Sequence, residues 1–220
     1  MTALLTPPPL APVAPPLPVA APAATPPPVV QPPPQPFRWT IKQYRELSKT
    51  GLFHDKKTML LYGVLYVMVM PNPPHDTALG LTEDWLRSVF TPPGHHVRNQ
   101  MGFDIGEDTD PGPDLAVVQG DRRAYAQQTP TTAVLIVEVS ETTLFTDITT
   151  KAEKYATAKV PEYWVIDLEN RQLIVFREPV ELPAGLGASA YRQRNTYGPD
   201  ATIAPLAAPT ATVRVADLLP

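Results

Sequence analysis

The sequence predicts a mixed α/β (α+β) domain behind a proline-rich tail, on three observations. Prolines are split unevenly: residues 1–36 hold 15 of the 30 and none of the 40 charged residues, 18 basic and 22 acidic. The other 184 residues (220 − 36) have the composition of an ordinary domain, long enough to bury a core without metal or disulfide support. Helical and strand-like patterns interleave along them without regular strand–helix alternation, which argues against a wound parallel sheet.

The tail is uncharged over a bilayer-spanning length, but a proline every two or three residues removes backbone donors and blocks a helix, so it does not suit a membrane. It also lacks the basic start and unbroken apolar core of a secretory signal. Residues 1–36 are expected to be disordered or polyproline II, with PPP runs that suit an aromatic-lined groove on a polyproline-binding partner. Residues 37–220 are expected to form the domain. Cysteine is absent, which excludes disulfide and thiolate chemistry and favours a reducing, cytoplasmic setting. A net charge of −4 excludes a protein that holds nucleic acid by bulk electrostatics, though not an enzyme that touches a backbone locally.

Trp39, Tyr44 and Leu47, interleaved with Lys42, Arg45 and Glu46, predict a short amphipathic helix capped by Thr40 and closed by Gly51. Residues 58–70 are apolar, β-branched and aromatic around Gly63, which predicts a buried hairpin or a pair of short strands, ended by Pro71, Pro73 and Pro74. Leu79, Leu81, Trp85, Leu86, Val89 and Phe90 give a second helix over 75–90. Val97–Ile105 suits a strand and GEDTDPGP a loop, and a short strand Leu115–Val118 follows Pro113-Asp114. Residues 133–139 are a strand-length apolar run carrying one Glu. A helix is predicted from Thr146 or Asp147 to about Lys159, ended by Pro161. Tyr163–Leu168 and Arg171–Arg177 flank Glu169-Asn170 as a hairpin. The last forty residues are Ala/Pro-rich, with an edge strand over Thr212–Val215.

Glu138 is the informative residue. In a strand, Val134, Ile136, Glu138 and Ser140 share one face and Leu135, Val137 and Val139 the other, so a carboxylate stands in a run that is apolar on both sides. Burying it unpaired costs several kcal/mol, so a cation, a hydrogen-bonded partner or a metal must compensate it. Asp114 opens the preceding strand and can meet Glu138 at one end of a sheet. Two carboxylates and a backbone carbonyl are the oxygen ligands Mg²⁺ or Mn²⁺ takes, with water completing the shell. Lys151 lies in the next helix, four residues after Asp147, and can reach back to the sheet end. Asp, Glu and Lys around a divalent ion describe a phosphodiesterase centre. Spacing alone also admits a turn role for Asp114, an arginine partner for Glu138 and a surface Asp147–Lys151 ion pair. His95 and His96 point oppositely in an extended chain and do not share a metal; His75 reads as a helix-start or surface residue, and Trp164 as core.

PDLAVV at 113–118, LIVEVSETTL at 135–144, then Asp147, Lys151, Tyr155 and VPEYWVIDLENRQLIVFR at 160–177 resemble the Uma-two family, within the PD-(D/E)xK nuclease superfamily. The resemblance runs from about Phe37 to Val215. It implies a restriction-endonuclease-like mixed β-sheet flanked by helices and a metal-dependent endonuclease acting on DNA. It also implies that Asp114 and Glu138 hold Mg²⁺ or Mn²⁺ with help from the Val139 carbonyl, and that Lys151 assists the attacking water. The superfamily's usual lysine position holds Ser140, and Lys151 matches the lysine migrated to the following helix. Arg122, Arg123 and Lys154 are candidate backbone contacts, and a homodimer would supply two active sites for two strands. In place of a family motif like ELIDGE stands MLLYGVL at 59–65, with Met59 and Val64 where glutamates are expected; His75 falls where the family often has a histidine. Those departures motivate an alternative, a catalytically inactive nuclease-fold module that binds nucleic acid or a partner.

Overall fold

Apolar runs without alternation need cover on both faces of a sheet. The computed structural model, which describes residues 35–68, 72–186 and 188–220, provides it with a six-stranded sheet. Its strands are His95–Asn99 (β3), Leu115–Gln119 (β4), Leu135–Ser140 (β5), Glu162–Asp167 (β6), Gln172–Glu181 (β7) and Ser189–Tyr197 (β8), in that spatial order. Only the β5–β6 pairing is parallel; the other neighbours run antiparallel. Two smaller ladders accompany it, Thr58–Leu61 (β1) with Val64–Val67 (β2), and Thr202–Ile203 (β9) with Val213–Arg214 (β10).

One face packs Leu115, Val117, Leu135, Val137, Trp164 and Val175 beneath helix α2 (Pro73–Val89) and the C-terminal Val215 and Leu218. The other packs Ala116, Ile136, Tyr163, Val165 and Phe176 against Phe103, Ala152, Tyr155 and Val160. Strand parity sorts the residues as the sequence predicts: odd-numbered β5 residues go to the α2 side, and Ile136 to the opposite side. Trp164 is fully buried and stacks on Trp85. No helix among the described residues is long and apolar enough to cross a membrane.

Local signals explain most boundaries. Helix α1 (Ile41–Lys49) starts at Thr40 with a reciprocal capping box, the Gln43 N–H donating to Thr40 Oγ1 at 3.2 Å and the Thr40 N–H to Gln43 Oε1 at 3.0 Å. β1 and β2 join through Tyr62 and Gly63, both at positive φ. A Cβ on Gly63 would stand 2.9 Å from the Arg38 Cβ and 3.0 Å from the Trp39 carbonyl, so glycine is required there. Helix α2 begins two residues earlier than its apolar spacing indicates, because Asn72 caps it and Pro73 and Pro74 occupy its first positions.

Four expectations need correction or restriction. The strand predicted over Val97–Ile105 stops at Asn99, since Gln100 adopts φ 48° and Ile105 makes only an isolated bridge to Thr109. The predicted Lys151 helix begins earlier, as three successive pieces, Leu144–Thr146, a π-helical turn Asp147–Lys151 and Ala152–Thr157, here together α3 (144–157). β8 lies where no strand was expected: its exposed polar middle masks a nine-residue edge strand, eight of whose residues pair with β7. The tail expected over 1–36 and the hairpin end at 69–71 lie outside the described residues, apart from 35 and 36.

Candidate active site

Register brings the first two candidates together. β4 and β5 pair antiparallel with Leu115 opposite Val137, so Asp114, one step before β4, meets Glu138. The Val139 N–H donates to Asp114 Oδ2 at 3.0 Å, and the Asp114 N–H points at Glu138 Oε2 at 3.4 Å. Both side chains are buried, at 6% and 2% relative exposure. Glu138 lies on the face covered by α3, where the Tyr155 hydroxyl donates to its Oε1 at 2.6 Å. Its other oxygen is met by Lys151, whose Nζ stands 3.0 Å away.

Lys151 serves two carboxylates. Its Nζ is also 3.0 Å from Asp147 Oδ1, although that oxygen has no partner of hydrogen-bond geometry, so this second contact is electrostatic. Asp147 is held by the Thr143 hydroxyl on its other oxygen at 2.6 Å, and the Tyr163 hydroxyl donates to its backbone carbonyl at 3.0 Å. The π-helical turn from Asp147 to Lys151 carries both charged ends of this pair, a local irregularity of the kind found at functional sites. The surface ion pair that spacing allowed is therefore buried, and the cation beside Glu138 is Lys151, not an arginine.

His75 stands at a helix start, as its sequence context indicates, but it also joins the site, which that context does not announce. The Asn72 cap and two prolines fix it in the first turn of α2, and its Nε2 comes within 3.3 Å of Asp114 Oδ2. The N-P-P-H string reveals the helix start, but only packing of α2 across the sheet end brings that start to Asp114. Gln100 completes the surroundings, donating through Nε2 to Asp114 Oδ1 at 3.2 Å.

These contacts set the charges. Burial works to raise Asp114, but the hydrogen bond from His75, the Lys151 charge and the Val139 N–H outweigh it and hold its pKa down to about 2. Glu138 goes the other way: burial pushes it up to about 8 against the pull of Lys151, and the nearby Asp114 and Asp147 add to the rise. Burial works to lower Lys151, but Glu138, Asp147 and Asp114 more than offset it, so the ammonium keeps its proton. The hydrogen bond to Asp114 raises His75 despite its burial.

The cluster forms the floor of a cavity of about 360 Å³. One wall comes from the β1–β2 hairpin with Lys57, Met59, Val67 and Met68, and the opposite lip is the Glu141–Thr143 segment with Thr146. Met59, where the resembling family carries a glutamate, thus lines the site, whereas Val64 is not among the lining residues. Among the described residues no group of three or more His, Asp or Glu side chains is gathered so as to cage an ion. Asp114 and Glu138 still fit a hydrated divalent ion, which commonly takes one or two carboxylates and keeps several waters. Of the candidate backbone contacts, Arg122 and Arg123 are exposed in the 3₁₀ turn Arg122–Tyr125. Lys154 is not free: its ammonium sits 3.5 Å over the Tyr62 ring and 3.8 Å from Asp108.

A family model, Uma2, described as "Putative restriction endonuclease", matches residues 41–215. The chain belongs to the Uma2 family. Among solved structures it is similar to a "putative nuclease belonging to DUF820" from Anabaena variabilis, at 16% identity and a TM-score of 0.60, over 81% of this chain and 96% of that one. At that identity the likeness is one of fold. None of the curated proteins matches the chain. For this Uma2 protein, family and fold together indicate a nuclease with a restriction-endonuclease-like architecture.

Proposed function

We propose that this Uma2 chain is a metal-dependent endonuclease that hydrolyses DNA phosphodiester bonds at the Asp114–Glu138–Lys151 cluster. The single observation that carries the reading is two buried carboxylates from adjacent strands, with a buried ammonium 3.0 Å from one of them, on the floor of an open cavity. Asp114 and Glu138 would hold Mg²⁺ or Mn²⁺ with the Val139 carbonyl. The ion would neutralise phosphate charge and make water a better nucleophile.

The chain's own residues do the rest. Asp114 is kept ionised and oriented by the Val139 N–H and His75. Lys151 stays protonated, which makes it a donor and not a base: it orients the attacking water and stabilises charge growing on the phosphoryl oxygens. Asp147 and Thr143 are positioning residues, holding the ammonium in place through the helix turn. Water adds to phosphorus and gives a proton to solvent, the bond to the departing sugar oxygen breaks, and that oxygen takes up a proton from solvent.

The test is cleavage of DNA by purified protein in Mg²⁺ or Mn²⁺. Glu138→Ala and Lys151→Ala are expected to lower the rate on the order of 10²–10³-fold; unchanged cleavage in both variants would overturn the assignment. Met59 on the cavity wall favours a second reading, a nuclease fold with weakened metal affinity that binds nucleic acid or a partner without cutting it. A normally folded protein with no metal-dependent heat or thermal shift would establish that reading over the first.

A further inference from the structure

The hairpin wall of the cavity carries a lysine that no carboxylate engages, and the register of the hairpin decides where it points. Thr58, the first residue of β1, turns toward helix α1, where the Tyr44 hydroxyl donates to its carbonyl at 3.1 Å and meets its Oγ1 at 2.8 Å. Side chains alternate along extended chain, so Lys57 and Met59 take the opposite face. Both line the cavity. The ladder continues one rung past β1 and β2, with the Met68 N–H donating to the Lys57 carbonyl at 2.8 Å, so the backbone that carries Lys57 belongs to the hairpin and not to a loose approach.

Three lining groups can carry positive charge, Lys57, His75 and Lys151. His75 is engaged by Asp114, and Lys151 by Glu138 and Asp147. Lys57 makes no ion pair and no side-chain hydrogen bond with any described residue. Residues 1–34, 69–71 and 187, outside the described residues, include no Asp or Glu and cannot supply a partner. Glu141, on the opposite lip, accepts from the Asn72 amide instead. The Lys57 charge is nevertheless felt inside the site: His75, raised by its hydrogen bond to Asp114, is pulled back by burial and by Lys57. Such an ammonium has three donors and no acceptor, so its complement is an anion from outside the chain. Lysine binds phosphate in this way, as a point charge on a flexible stem.

We propose that Lys57 is a substrate-binding residue: from the hairpin wall its ammonium holds a non-bridging oxygen of the phosphate next to the scissile one and so sets the path of the strand over the Asp114–Glu138 floor. The inference rests on the nuclease reading for the identity of the polyanion. Lys151 is fixed on the floor and serves the phosphate under attack, which leaves the wall lysine for its neighbour. That contact is the same before and during bond breaking, so it contributes to holding the substrate and not to the chemical step.

The experiment measures fluorescence anisotropy of the full chain with a labelled DNA duplex in Ca²⁺ over a series of salt concentrations, followed by cleavage kinetics in Mn²⁺. Lys57→Gln is expected to weaken binding about tenfold, the low end for a hydrogen bond between charged groups. It should also flatten the slope of log affinity against log salt by ~0.9, the amount for one phosphate contact. Lys57→Arg should keep both the affinity and the slope. In cleavage, KM should rise in Lys57→Gln with kcat unchanged. A methylphosphonate, which removes the charge of one phosphate, should weaken wild type when placed next to the cut and make no difference to Lys57→Gln. An unchanged salt slope in Lys57→Gln, a kcat that falls at constant KM, or a methylphosphonate effect equal in both proteins overturns the proposal and leaves the nuclease reading intact. A Lys57-dependent slope on DNA that is never cut supports the contact while sinking the nuclease reading. Absence of DNA binding by wild type overturns the proposal.

Discussion

Two glutamates on neighbouring parallel strands, Glu138 on β5 and Glu162 on β6, are both buried, at 2% and 0% exposure, yet they differ in everything that bears on chemistry. Glu162 is closed off. Its Oε1 accepts from Arg177 at 2.6 Å and from the Trp164 ring N–H at 2.9 Å, and its Oε2 accepts from the Leu206 N–H at 2.7 Å. Glu138 shares its cation with Asp147, crowds against Asp114 and opens onto a cavity. Burial of a carboxylate is thus no mark of a site. The mark is a carboxyl group that stays reachable and shares one ammonium with a second carboxylate.

The largest effect expected from this contrast is on stability, at the closed glutamate. Arg177→Met strands Glu162 in the core and should destabilise by ~3–5 kcal/mol in urea unfolding, with Mn²⁺ calorimetry unchanged. Loss of metal heat in that variant would erase the distinction between the two glutamates.

A smaller effect separates the two halves of the open site by pH. The folded pKa of Asp114, about 2, lies below its unfolded value of 3.8. Its stabilisation is therefore fully present above about pH 4 and lost as pH falls toward 2, a difference of ~2 kcal/mol at most. The unfolding free-energy gap between wild type and Asp114→Asn in EDTA should accordingly shrink from pH 6 to pH 2.5; a constant gap would contradict the His75 and Lys151 contacts as its source. Glu138, held up to about 8 by burial, has the opposite sign: the unfolded chain gives up its proton first, so its contribution to stability falls as pH rises from its ordinary range to about 8, and a divalent ion must displace its proton below that.

The mildest expected change sharpens the open site further. Met59→Glu places a carboxylate on the cavity wall and should tighten Mn²⁺ binding about tenfold, on the scale of adding one ligand or outer-shell partner, measured by calorimetry. Unaltered affinity would mean that the hairpin wall does not reach the ion.

Much of this was legible in the chain order. The Thr40 cap, the turn at Gly63, the parity of β5 and the oddity of a Glu within an apolar run are short-range signals, each decided by a few neighbouring residues. Where sequence reasoning fell short, the cause was non-local. β8 is a polar edge strand whose existence depends on β7 beside it. The start of α3 is displaced by a π turn that buries Asp147 with Lys151. His75 is the helix-start residue expected, but not a surface one, because nothing near it in the chain announces Asp114, 39 positions later.

By itself, then, the sequence determined the pieces: a mixed α/β domain, the β5 strand faces, the Thr40 helix cap, and Asp114, Glu138 and Lys151 as the candidate site residues. Periodicity and capping are local, so they survive in one dimension. Only the tertiary structure decided that Lys151, not an arginine, stands beside Glu138, that His75 joins Asp114, and that Glu138 faces a cavity while Glu162 is closed in. Those outcomes depend on the register between strands and on which helix crosses which sheet end, where a carboxylate's surroundings are set by residues far away in the chain.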